Sequence, residues 1–170
     1  MTNAAIHLAS AEEDFAAARA LSYEWARTHL AEFPQHHDII LKVFEPTKYR
    51  ETVESLHVIH ARPGGAVLLA RLNDDAVGCV MYHSSGPNTA EIKRLFVDKK
   101  GRGHGLGKAL LEAMFEQMKQ DGYTRVIFSS AKILVHARSL YEMVGFTEMP
   151  HPDDFPKELH HFVYFMEREL

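Results

Sequence analysis

Between residues 66 and 97 the apolar positions come in short, dense runs rather than at helical spacing. Ala66–Leu72 and Ala76–His83 predict two strands joined by a tight turn at Asn73-Asp74-Asp75, and Thr89–Val97 predicts a third after a turn over residues 84–88. These links are too short for crossovers, so the three strands should form an antiparallel meander. Before them the pattern is mostly helical. Ile6–Ala9 reads as a short strand. Ser10 with Glu13 three residues on has the form of a capping box, and Ala11–His29 follows as a helix whose Phe15, Ala18, Leu21, Trp25 and Leu30 approximate one face. Residues 34–60 predict a second helical region in two pieces, broken near Pro46, with Tyr49, Val53, Leu56 and His60 at helical spacing.

After residue 97 the period changes again. Leu106–Gln120 predicts a helix whose polar stripe is only Lys108, Glu112, Glu116 and Lys119, so most of it should be buried; Gly122 suits its C′ position. Thr124–Ser129 reads as a buried strand. A helix separates it from Thr89–Val97, so the two should run parallel. A helix over about Leu134–Val144, stopped by Gly145, and a last strand over His160–Glu167 complete the pattern. The expected fold is mixed α/β: one central sheet, antiparallel in its N-terminal strands and parallel in the middle, flanked by helices.

At 170 residues the chain suits one domain, 1–170. A net charge of −4 gives no ground for general nucleic-acid or membrane affinity. The N-terminal residues lack a basic stretch followed by a long apolar run, and no apolar run reaches membrane-spanning length, so a cytoplasmic protein is expected. Cys79, the one cysteine, sits in the strand-like run AVGCVMY and reads as a buried residue rather than a nucleophile. Twelve histidines include the pairs His36-His37 and His160-His161 and the i, i+3 pair His57/His60, but no cysteine cluster or H-E-x-x-H pattern accompanies them, and no metal is expected.

The chemistry concentrates in RLFVDKKGRGHGLGKAL, residues 94–110. A nucleoside-triphosphate loop would need glycine where Arg102 stands and Ser or Thr where Ala109 stands. A dinucleotide fingerprint fails at Leu106 or Lys108, depending on where it starts, and the next strand lacks the acid that would hold a ribose. What remains is Arg-x-x-Gly-x-Gly, from Arg102 through Gly105 and Gly107, opening directly into a helix. Successive backbone N–H groups at a helix N-terminus form an anion site. Glycines permit positive φ and remove the Cβ atoms that would hold a phosphate away. Arg102 and Lys108 can add charge-assisted contacts.

The run EIKRLFVDKKGRGHGLGKALLEAM (91–114), with LYEMVGF (140–146) at the matching distance, resembles the GNAT superfamily of N-acetyltransferases. The resemblance implies a GNAT-like acyl-CoA N-acyltransferase fold whose two parallel strands splay apart, and acetyl-CoA as cosubstrate. It implies pantetheine pairing with the main chain of Leu95, Phe96 and Val97. The diphosphate would lie on Arg102, Gly103, His104, Gly105, Leu106, Gly107 and Lys108. The function implied is acetyl transfer to the primary amine of a small molecule by direct attack in a ternary complex, with protein N-acetylation and a non-catalytic acyl-CoA sensor as alternatives. A homodimer is compatible with the family.

By the same resemblance Tyr141, near the cofactor sulfur, is the candidate general acid; read from the residues alone it fits an apolar core stripe with Leu134, Ala137, Leu140 and Val144. Glu91 is the candidate base, directly or through water, against an alternative as a surface carboxylate paired with Lys93 or Arg94. Strict alternation would place Glu91, Lys93, Leu95 and Val97 on one face. His83 and His136, the histidines nearest the motifs, are further candidates for the base. The family's Asn seven residues before the Tyr is Leu134 here.

Overall fold

The computed structural model describes residues 4–170. Its strands are β1 (Ala4–Leu8), β2 (Ala66–Leu72), β3 (Asp75–Ser84), β4 (Thr89–Val97), β5 (Arg125–Ala131), β6 (Thr147–Met149) and β7 (Val163–Glu169). Its helices are α1 (Glu12–Glu32), α2 (His37–Val43), α3 (Pro46–Glu54), α4 (Leu56–Ile59), α5 (Leu106–Gln120) and α6 (Val135–Met143). The strands form one seven-stranded sheet in the order β1-β2-β3-β4-β5-β7-β6. Every neighbouring pair is antiparallel except β4 and β5.

The sheet carries a core on each face. α5 covers one face with Leu106, Leu110, Leu111, Met114 and Met118 against Leu68, Val80, Tyr82 and Ile92. α1, α3 and α4 cover the other with Ala18, Leu21, Val53 and Leu56 against Leu69, Cys79, Met81 and Phe96.

Several predicted boundaries move for local reasons. α1 begins one residue later than the Ser10–Glu13 pattern proposes, because the Asp14 carboxylate accepts the Ser10 N–H (3.1 Å) and is held by His7 (3.0 Å) and Arg71 (3.1 Å). The region 34–60 is three α-helices, preceded by a 3-10 turn at Pro34–His36, rather than two pieces. Pro46 opens α3 at its first turn, where a missing N–H costs nothing, and Glu45 caps the helix through the amides of Thr47 (3.0 Å) and Lys48 (2.9 Å). The short strand β6 was not predicted, and β7 lies between it and β5.

Two features of β4 position the site. It pairs with β5 only over Thr89–Glu91, opposite Arg125–Ile127, and beyond Glu91 the parallel strands part. It is also bulged. Cys79 faces Phe96 but Met81 faces Lys93, so β4 spends one residue more than β3 over that interval, and Arg94 takes φ 57° to absorb it. The bulge overturns the strict alternation expected for this strand. Lys93 lines the α1/α3 side, whereas Leu95 and Val97, beyond the extra residue, pack with the α5 cluster.

Candidate active site

The loop between β4 and α5 is shaped by glycines used in two ways. Gly103 and Gly105 adopt φ of 81° and 70°, in the left-handed region. Gly101 is a matter of space: a Cβ there would lie 2.7 Å from Val97 Cγ1. Gly105 is the N-cap of α5 and offers no side chain to its first turn, and the first helical bond runs from Ala109 N to Gly105 O (3.1 Å). The amides of Leu106, Gly107 and Lys108 therefore stand at the helix mouth without intrahelical partners. Arg102 and Lys108 flank them, each half out in solvent and only loosely engaged, by Glu32 at 4.0 Å and Glu112 at 3.5 Å. The loop thus has the donors and the positive charge to hold a diphosphate.

The parted strands lead from this mouth into the sheet. Leu95, Phe96 and Val97 lie on the stretch of β4 that has no partner on its β5 side. Such an edge can take an extended amide chain as an added strand. α6 closes the far side. Leu140 Cδ2 comes within 3.4 Å of a Cβ built on Gly107, which ties α6 to the loop. Tyr141 is buried; its ring stacks on Phe128 of β5 (centroids 3.7 Å apart) and meets Phe146 edge-on (5.4 Å). Burial, with Tyr164 nearby, pushes its phenol pKa well above the usual range, so the group stays protonated. Leu134 stands at the N-cap of α6, before its first helical residue.

On the other face, behind the bulge, lies a pocket of about 230 Å³. α1 contributes Ser22 to it, α3 and α4 contribute Thr52, Val53 and Leu56, and the sheet contributes Met81, His83, Lys93 and Arg94. His60 completes the wall; its Nδ1 meets the Tyr82 carbonyl oxygen at 2.9 Å, so that nitrogen carries the proton. Burial, opposed by that bond and helped by His83, Arg94 and Lys93, lowers its pKa from 6.5 to about 4. The wall is anchored behind by Arg62, which forks onto Asp121 at the end of α5 (Nη2–Oδ1 2.6 Å).

Glu91 lies beside this pocket. Its Oε1 is 2.5 Å from Lys93 Nζ and its Oε2 is 3.6 Å from His83 Nε2. Burial alone would raise its pKa, but His83 and Lys93 outweigh burial and hold it down to about 2. A carboxylate so stabilised takes up a proton poorly; it is better suited to orienting His83. The Nδ1 of His83 is buried and has no hydrogen-bond partner among the described residues. If Nε2 carries the proton toward Glu91, Nδ1 keeps a lone pair. His83 was visible in the sequence only by its nearness to the motifs; its alignment with Glu91 follows from the β3–β4 register, which pairs the two residues. His136, the other histidine considered, is on α6 and outside the pocket lining. Cys79 is fully buried and its thiol pKa is pushed up to about 12 by burial, so it is unsuited to carry an acyl group. No cluster of three or more metal-ligating side chains occurs among the described residues.

A family model described as the acetyltransferase (GNAT) family matches residues 17–146. The chain is similar to N-acetylaspartate synthetase of Rattus norvegicus, with 29% identity over 118 residues, which is 69% of this chain and 40% of that protein. It therefore spans well under half the length of that relative. Its fold matches the ribosomal-protein-S18-alanine N-acetyltransferase of Escherichia coli (TM-score 0.65, 16% identity, 98% of this chain and 94% of that one). It also matches a Bacillus anthracis protein solved in complex with acetyl coenzyme A (TM-score 0.59, 22% identity, 67% of each chain). At these identities the two structures speak for the fold alone.

Proposed function

The chain belongs to the acetyltransferase (GNAT) family, and we propose that it moves an acetyl group from acetyl-CoA to a primary amine of a small molecule, in a ternary complex within a single 1–170 domain. The observation that carries this reading is the alignment of three features along β4: the amide mouth at 106–108, the unpaired strand edge at Leu95–Val97, and the pocket behind the bulge. In this reading Arg102–Lys108 hold the diphosphate and the Leu95–Val97 main chain pairs with the pantetheine amides. The thioester then lies where the strands part, between Tyr141 and the pocket.

The residues divide the proton work. An alkyl ammonium, with a pKa near ~10, must lose a proton before its nitrogen can attack. His83, oriented by Glu91, takes that proton, so that Glu91 acts through His83 rather than alone. The amine nitrogen bonds to the acetyl carbon while the Val97 N–H polarises the carbonyl oxygen. The carbon–sulfur bond then breaks, Tyr141 gives its phenolic proton to the departing thiolate, and the second proton shed by the attacking nitrogen passes through solvent and restores the phenol. The products are an N-acetyl amine and free CoA.

Small acceptors fit the pocket better than a polypeptide does. About 230 Å³ is below the ~300 Å³ at which drug-sized sites begin, and α3 and α4 wall it off on the helical side. The discriminating experiment is a thiol-release screen over polyamines, amino acids, aminoglycosides and short peptides. A free small amine is expected to be the best acceptor. A preference for peptides would move the reading to protein N-acetylation, and tight acetyl-CoA binding without turnover on any amine would replace it by a sensor.

A further inference from the structure

The acceptor pocket has a sign, and it is positive. No acidic residue is among those that line it, and two of them, Lys93 and Arg94, are cations. Lys93 is committed to Glu91 at 2.5 Å. Arg94 is not: no carboxylate lies within salt-bridge distance of it among the described residues. Its guanidinium instead sits over the rings of Tyr49 (4.7 Å), Trp25 (5.2 Å) and Phe44 (6.0 Å). Rings hold the flat face of a guanidinium and leave its N–H edge for an acceptor. The Tyr49 hydroxyl, which lies against Arg94, spends its proton on the Ser22 carbonyl oxygen (2.6 Å) and has only lone pairs to offer, far short of the five N–H groups of the guanidinium. The bulge presents Arg94 here at a backbone φ of 57°, which L-residues rarely adopt.

We propose that this pocket takes an acceptor amine that also carries an anionic group, a carboxylate in the first place, and that Arg94 binds that group. The acceptor class is then amino acids rather than polyamines or other polycations. A carboxylate on Arg94 directs the amine of the same small molecule toward His83 and the parted strands. Turnover in this proposal rests on the acetyl-transfer reading; binding does not.

The test has two arms. In the first, thiol release is measured with L-amino acids, and the best of them is compared with its carboxamide and its decarboxylated amine. The acid is expected to exceed both in kcat/KM by at least about tenfold. Arg94→Gln is expected to lower kcat/KM for the acid by about 10- to 100-fold, mainly through KM, and to change the amide by less than about threefold. Arg94→Lys keeps the charge and is expected to retain part of the preference. An amide as good as the acid, or an equal loss on both in Arg94→Gln, overturns the proposal; the equal loss would mark Arg94 as packing for its aromatic neighbours.

The second arm needs no turnover. Trp25 is the only tryptophan of the chain and lies 5.2 Å from the guanidinium, so its fluorescence reports on Arg94. A saturable response to the acid, absent with the amide and lost in Arg94→Gln, upholds the proposal even if no amine is acetylated, in which case acetyl transfer alone has failed. Equal responses to acid and amide, or none to either, reject it.

Discussion

Tyr141 is a packing residue to which the proposed mechanism adds a chemical role. Its ring completes an aromatic stack with Phe128 and Phe146 and its phenol stays protonated; the proposed mechanism has that proton go to the departing thiolate. Removing only the hydroxyl separates the roles. Tyr141→Phe is expected to slow thiol release about 100-fold while the acetyl-CoA Kd stays within about twofold; an unchanged rate would leave Tyr141 with packing alone. His60 offers a second residue-level test. Its folded pKa, about 4, lies below the ordinary 6.5 because it is buried neutral. Between those values the unfolded chain binds more protons than the folded one, so stability falls as pH drops through that window and the loss saturates below about 4. Denaturant unfolding at pH 7 and pH 5 is expected to differ by about 2 kcal/mol from this group, and His60→Gln should remove most of that difference.

Among the elements, α5 offers a matched pair of glycines, one at each end. Gly105 and Gly122 both sit at left-handed φ, 70° and 88°, and neither would meet a neighbour on gaining a Cβ. Each change to Ala is expected to cost about 1–2 kcal/mol from backbone strain. Only Gly105→Ala should also weaken acetyl-CoA binding, by tenfold or more, because only there would a methyl stand at the amide mouth. Calorimetric titration of the two variants measures the difference. The ends of β4 and of α5 were legible in the sequence, since dense apolar runs and glycine punctuation mark them directly. The bulge inside β4 was not. It depends on Arg94 adopting a conformation that nothing in its own chemistry favours, fixed by the register against β3. The three residues of β6 are too few to show a period, and the N-cap of α1 is Ala11 rather than Ser10, with the Asp14 carboxylate, also held by His7 and Arg71, reaching back to the preceding amides.

For the molecule as a whole, the sequence conveyed the order of the three strands within 66–97 and the location of the amide mouth, because both are set by local connections. It conveyed neither the sign nor the walls of the pocket behind the bulge. The chain carries −4, yet the pocket is lined by two cations and no acid, a contrast that arises only when residues 22, 52, 60, 83 and 94 are folded together. In the proposed ternary complex, which the burial of Cys79 favours over an acylated protein, both substrates are present at once. Initial-velocity plots should therefore intersect, and the protein's mass should not change on incubation with acetyl-CoA alone; parallel lines with a stable acetylated protein would contradict a ternary complex. The most direct test is a crystal structure with acetyl-CoA bound. Acetyl transfer at this site requires the diphosphate on the amides of 106–108, the pantetheine paired with Leu95–Val97, and the acetyl group between Tyr141 and His83. Density for the nucleotide elsewhere, with that mouth and strand edge vacant, would contradict it.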